Sequence, residues 1–226
     1  MNTRVLLVRH GATVLTAEDR FAGSSDIPLS EIGEHQALRL AERLSRLEIA
    51  AVYASPMKRT VHTAELLAAP HRLVVEKVDG IREIDHGRWE LKTRAEVERE
   101  FREEYEAWEA DPFTFAPADG ESGLSVLARA LPAVRAIVQR HPNQTVLVVS
   151  HKATIRLLIG SFLGFDLRGY RDRLDQHPCC LNVLDFKDAA RARLMLFNDI
   201  SHYEDHPETP RSALSKWWDA STTQTT

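Results

Sequence analysis

Leu6-Leu7-Val8-Arg9-His10-Gly11-Ala12-Thr13 is an apolar run that stops abruptly at an arginine, a histidine and a glycine. The run reads as a buried strand, and the glycine allows a tight turn at its carboxyl end. A strand that ends this way sets an imidazole nucleophile beside a fixed positive charge, which suits phosphate chemistry.

Two later stretches repeat the arrangement. Ala51-Val52-Tyr53-Ala54 leads into Ser55-Pro56-Met57-Lys58-Arg59, and Val146-Leu147-Val148-Val149 leads into Ser150-His151. In open α/β sheets ligands bind outside the carboxyl ends of the strands. Three such ends facing one crevice would bring Arg9, His10, Arg59 and His151 together. Arg59 is placed in the first turn of the helix after its strand, where backbone N–H groups add to the attraction for phosphate.

The rest of the chain fills in an alternation of helix and strand. Ser30 to Leu47 carries Ile32, Leu40, Leu44 and Leu47 on helical spacing and is expected to be an amphipathic helix capped near Ser30. Met57 to Leu67, Ser125 to Arg140 and Lys152 to Leu163 are also expected to be helices, and Leu181 to Phe186 with Leu194 to Phe197 a closing strand pair. Between about residues 88 and 121 lies a charged helical stretch, Thr93 to Trp108, then an irregular turn with Phe113 and Phe115. This segment predicts a small inserted cap whose aromatics pack among themselves rather than stack on substrate. The pattern predicts one domain over residues 1–226, a three-layer α/β/α sandwich with a mostly parallel central sheet, and a frayed polar tail at 221–226.

These motifs resemble the histidine phosphatases, the phosphoglycerate mutase-like superfamily. The resemblance runs in order through Arg9-His10-Gly11, Arg20-Phe21-Ala22-Gly23, Asp26-Ile27-Pro28-Leu29-Ser30-Glu31-Ile32-Gly33, and Ser55 to Arg59 with Thr63-Ala64. It continues through Arg82-Glu83-Ile84-Asp85, Gly87-Arg88-Trp89-Glu90, Asp119-Gly120-Glu121-Ser122 and Val149-Ser150-His151. It implies that His10 is the nucleophile, that Arg9 and Arg59 grip phosphate through planar donor forks, and that His151, protonated in the complex, completes the clamp. It assigns proton donation to Glu83, with Asp85 as the neighbouring rival and burial as the means of keeping the carboxyl protonated. It also suggests Thr13, Thr16, Arg20, Ala22, Gly23, Glu121 and Ser122 as pocket-wall residues. The remaining histidines read as surface or satisfied polar residues, and His86, three residues past Glu83, is the one nearest the site in sequence.

The chain departs from the mutase branch at several points. Leu15-Thr16 stands where mutases carry Trp-Asn, Ala22 stands where they carry Thr, and Glu98 to Glu109 is rich in Glu where they carry adjacent arginines for a second anionic group. A phosphomonoesterase is therefore expected, with a cofactor-dependent phosphoglycerate mutase and a catalytically silent phospho-ligand binding module as alternatives. Lys152 replaces the family's usual glycine after His151 and either contacts substrate or points to solvent.

Composition bounds the partners. A net charge of -4 leaves no electrostatic footprint for nucleic acid or an anionic membrane, so a small phosphorylated metabolite is the expected partner. Adjacent Cys179 and Cys180 are no disulfide framework and lack zinc-site spacing. With no signal-like or membrane-spanning run, a cytoplasmic protein working without cofactor or metal is expected. Substrate identity and oligomeric state are not legible.

Overall fold

The computed structural model describes residues 2–18 and 20–204; the expected frayed tail lies outside the described residues. The elements in chain order are β1 (Thr3–Arg9), α1 (Glu31–Leu44), β2 (Ala51–Ala54), α2 (Lys58–Ala68), β3 (Val75–Lys77), α3 (Arg94–Glu100), α4 (Arg102–Ala110), α5 (Gly123–Arg140), β4 (Thr145–Ser150), α6 (Lys152–Leu163), α7 (Tyr170–Arg173), β5 (Leu181–Phe186) and β6 (Ala192–Asp199). The sheet order is β3-β2-β4-β1-β5-β6. Strands β1 to β4 pair in parallel, whereas β5 pairs antiparallel with both β1 and β6. The expected sandwich with a mostly parallel sheet is the observed one.

Period-two alternation along β1 builds both faces at once. Leu6 and Val8 join α1 and α2 residues such as Leu40, Leu44 and Leu67 in one buried cluster. Val5 and Leu7 join Val134, Ile137, Ile155 and Leu158 of α5 and α6 in another. With both faces covered, the middle strands read as continuous apolar runs instead of alternating ones.

Register decides where the site falls. Arg9 pairs with Ser150 and Ala54 is level with Val149, so the carboxyl ends of β1, β2 and β4 lie side by side. The backbone continues the ladder one step further, with His10 N–H donating to Ser150 O at 3.0 Å and Ser55 N–H to Val149 O at 3.1 Å.

Several expectations are corrected. Helix α1 ends at Leu44, and its buried arc is Gly33, Gln36, Ala37, Leu40, Ala41 and Leu44. Ile32 falls one position outside that arc and Leu47 beyond the helix, leaving them 68% and 46% exposed. The charged stretch at 93–108 is two helices, because the backbone leaves helical geometry at Phe101 (φ -135°, ψ 50°), whose ring packs on the aromatic cluster of Phe21, Trp89, Tyr105 and Trp108. Strand β3 was not anticipated, since three residues with a single apolar side chain leave no periodic signal.

Candidate active site

The loop after β1 carries His10 and is tied down from three directions. Gly11 N–H donates to Thr63 Oγ1 of α2 (3.1 Å), Ala12 N–H to Gln36 Oε1 of α1 (3.0 Å) and Cys179 N–H to His10 O (3.0 Å). Gly11 and Gly33 let the loop lie against the first turn of α1: a Cβ on Gly33 would sit 2.1 Å from Ala12 O, and one on Gly11 2.4 Å from Gly33 O. Loop and helix therefore meet backbone to backbone.

His10 is buried, and its Nδ1 lies 2.7 Å from Gly11 O. A carbonyl oxygen can only accept, so Nδ1 carries the hydrogen and Nε2 keeps the lone pair. Burial, followed by the charges of Arg59 and Arg9, pushes this imidazole well below its ordinary value. The ring is thus a neutral nucleophile near neutral pH.

The two arginines are held differently. Arg59 donates to His151 Nδ1 (3.3 Å), Ser25 O (2.7 Å), Gly23 O (2.8 Å) and Met57 Sδ (3.4 Å). These contacts use four of its five N–H groups and fix the guanidinium against the Gly23–Ser25 turn. Arg9 donates to Gln176 O at 2.6 Å, while its buried Nε has no partner. A buried guanidinium nitrogen without an acceptor is costly, and an anion in the adjoining cavity would satisfy it.

Glu83 belongs to the same cavity, and its carboxylate is seated on the first turn of α6. Oε1 accepts from Ile84 N (3.0 Å), Thr154 N (3.2 Å) and Thr154 Oγ1 (3.1 Å), and Oε2 accepts from Ala153 N (3.1 Å). Asp85 takes a different path, its Oδ1 accepting from Gly87 N at 2.8 Å within its own turn, and it does not line the cavity.

That cavity measures about 500 Å³ and is bounded by Arg9, His10, Arg59, Glu83, Trp108 and Lys152 among others, within the range of small-ligand sites. Thr13, Thr16, Arg20 and Ala22 line it as well. Gly23, Glu121 and Ser122 do not. Gly23 is packed on the Ile84 backbone, where a Cβ would come within 1.7 Å of a carbonyl oxygen. Glu121 is paired with Arg129 at 2.7 Å, and Ser122 caps α5 by accepting from Ser125 N.

His151 also departs from expectation. It is fully buried and absent from the cavity wall, lying edge-on to His10 with ring centroids 5.2 Å apart. An arginine N–H can only donate, so Nδ1 accepts from Arg59 and Nε2–H is left to donate to Ser55 Oγ at 2.8 Å. Burial and the Arg59 charge push its titration well below the ordinary value. With this bonding the ring is neutral and braces Arg59; the expected protonation belongs to the phosphate complex. The anticipated pull of the α2 N-terminus is also partly spent, since Lys58 N–H donates to Asp26 Oδ1 at 2.7 Å.

Other wall residues were missed in the sequence. His86 lines the cavity against Phe21, with ring centroids 4.9 Å apart. Trp108 packs in the cap cluster and also faces the cavity, with the Arg171 guanidinium 4.3 Å from its ring centroid. Arg156, Tyr170, Asp175 and His177 also line the cavity. Only the i to i+4 spacing of Lys152 and Arg156 on the helix after His151 was a readable signal.

A mostly parallel sheet whose strand ends present a neutral histidine beside the buried Arg59 and the partly buried Arg9, with Glu83 on the wall of the same cavity, defines a phosphate-handling enzyme of the histidine phosphatase type. The comparisons agree: residues 5–200 match the histidine phosphatase superfamily (branch 1), and the chain belongs to that family. It is 39% identical over 164 residues to phosphoserine phosphatase 1 of Hydrogenobacter thermophilus, covering 73% of this chain and 78% of that protein. It is 33% identical over 190 residues to a probable phosphoglycerate mutase of Cronobacter sakazakii, covering 82% and 86%. The native structure of mycobacterial glucosyl-3-phosphoglycerate phosphatase superposes with a TM-score of 0.80 at 28% identity, covering 88% of this chain and 99% of that one.

Proposed function

We propose that this protein is a metal-independent phosphomonoesterase that hydrolyses a small phosphorylated metabolite through a phosphohistidine at His10. The observation that carries this is the neutral His10 imidazole, its Nδ1 pinned to Gly11 O, between Arg59 and an Arg9 whose buried Nε has no partner. The Nε2 lone pair attacks phosphorus in line, the phosphorus–ester oxygen bond breaks, and the leaving oxygen takes the proton of Glu83, which enters this step as the carboxylic acid. Water then attacks phosphorus and gives a proton to Glu83 as the phosphorus–nitrogen bond breaks, its electron pair returning to Nε2, so that inorganic phosphate and the neutral ring are released. Arg9 and Arg59 hold the charge spreading over the equatorial oxygens, the task a divalent cation performs in other phosphoryl-transfer enzymes.

A mutase must keep the phosphorylated enzyme from water and return the phosphoryl group to substrate. The cap segment here is tied up in its own ion pairs, Arg102 with Glu106 at 2.9 Å and Lys92 with Glu100 at 2.7 Å, so water is the favoured acceptor. A silent binding module has no use for a carboxylate held in the same cavity as the nucleophile.

The test is a brief acid-free quench with 32P-labelled substrate in EDTA, alongside phosphate release from 3-phosphoglycerate given catalytic 2,3-bisphosphoglycerate. The expected result is an acid-labile, alkali-stable phosphoprotein that is lost in His10→Ala, with phosphate release outpacing formation of 2-phosphoglycerate. Undiminished turnover in His10→Ala, restoration of activity by added metal, or interconversion with negligible phosphate release would overturn the reading.

A further inference from the structure

The cavity wall carries more cation than one phosphate group requires. Among the described residues, six cationic side chains, Arg9, Arg20, Arg59, Lys152, Arg156 and Arg171, face it with two carboxylates, Glu83 and Asp175. Arg20 is paired outside the cavity with Glu18 at 2.7 Å, and Arg171 with Glu109 at 3.1 Å and Asp172 at 2.9 Å. The other four are Arg9, Arg59, Lys152 and Arg156.

These four fall into two groups that share Arg9. Arg59 and Arg9 are the cations that depress His10, whereas Arg156 and Arg9 are those that depress Lys152. Lys152 and Arg156 are four residues apart on α6 and so on one face of it. Both reach the same oxygen: Lys152 Nζ lies 3.3 Å and Arg156 Nη2 2.9 Å from Asp175 Oδ1. One carboxylate oxygen is thus a shared acceptor of the partly buried Lys152 ammonium and the buried Arg156 guanidinium, and the buried Arg156 Nε has no partner. Burial together with the charges of Arg156 and Arg9 brings the Lys152 ammonium down to about 7. A buried guanidinium nitrogen without an acceptor is costly, and an anion seated beside Arg156 would supply one.

We propose that Lys152 and Arg156, braced by Asp175, form a second anion subsite in the cavity, so that the preferred substrate is a phosphomonoester carrying a further anionic group, a carboxylate or a second phosphate. The proposal rests on the phosphatase reading: the ester phosphate sits at His10 between Arg9 and Arg59, and the second anion reaches α6. The second grip then comes from α6 and not from the cap.

The test compares kcat/KM within matched pairs, 2-phosphoglycolate with ethyl phosphate and fructose 1,6-bisphosphate with fructose 6-phosphate, in the wild type, Lys152→Met and Lys152→Arg. The wild type is expected to favour the doubly anionic member of at least one pair by about 10- to 100-fold. The pair that shows it identifies the second anion. Lys152→Met should bring the ratio close to one, chiefly through KM, and Lys152→Arg should restore most of it. Equal kcat/KM within both wild-type pairs overturns the subsite and leaves the phosphatase reading standing. A preference that survives Lys152→Met, or an equal fall for both members of a pair, overturns it too. Absence of phosphate release from every substrate, p-nitrophenyl phosphate included, removes the underlying reading as well.

Discussion

At the residue scale, one rule separates the groups that act from those that support: a backbone carbonyl or an arginine N–H can bond in only one sense. Applied to His10 it leaves Nε2 with the lone pair, and applied to His151 it gives a neutral brace between Arg59 and Ser55. Glu83 and Asp85, carboxylates in one short motif, are separated by position instead: both accept backbone N–H groups, but only Glu83 lines the cavity. If Glu83 protonates the leaving oxygen, its removal matters in proportion to the basicity of that oxygen. Glu83→Gln is expected to slow alkyl phosphates by about 10²- to 10⁴-fold and p-nitrophenyl phosphate, whose leaving group needs little help, far less. Steady-state kinetics on both substrates checks this, and equal slowing would place the proton donor elsewhere.

Among the elements, the site depends on how closely the loop after β1 meets α1. Helix α1 is capped by Ser30, whose Oγ accepts from Gly33 N and donates to Ala12 O. Gly33 thus stands where cap and loop converge, and the 2.1 Å approach of an added Cβ to Ala12 O is to backbone, which cannot swing aside as a side chain would. Gly33→Ala is therefore expected to cost about 1–3 kcal/mol, the range of overpacking a tight contact, and to lower kcat by displacing His10. Thermal melts and kcat measured together decide it: wild-type values of both would show that the contact does not hold the nucleophile.

For the whole molecule, building a phosphate site inside a sandwich means burying histidines that stay neutral. His10 and His151 are held well below the ordinary histidine value, and His202 is brought down to about 4, in each case chiefly by burial. Between that ordinary value and the folded one, the unfolded chain binds a proton that the folded protein refuses. Stability is then fully present above about pH 6.5 and falls as the pH drops through the window. Each fully buried histidine contributes up to about 1.4 kcal/mol per pH unit. Calorimetric melts at pH 7.5, 6 and 5 should show a progressive fall in Tm, steeper than in His151→Asn if that variant folds and less than halved by His202→Gln. A Tm that stays level down to pH 5 would show that these rings are not held neutral.

Which parts of this were legible in the chain follows from the range of the forces involved. Apolar runs ending at Arg9-His10, Ser55 and Ser150-His151 are local signals, because strand burial and strand ends are written in neighbouring residues, and they located the site and the sheet. The family motifs carried the assignment of His10, Arg9, Arg59 and Glu83 to one cavity wall. Local pattern misled where a helix boundary or facing depended on a partner: Ile32 and Leu47 have the spacing of a buried arc but fall outside it, and Phe101 breaks a helix because its ring is needed in the cap cluster. Ser122 and Glu121 look like pocket residues but are taken by α5 and Arg129. Arg156 and Asp175 are 19 residues apart and meet only because α6 and the loop before β5 close on the same cavity. Burial, tautomer and the balance of charge around Lys152 are set by atoms distant in sequence, and tertiary structure alone decides them.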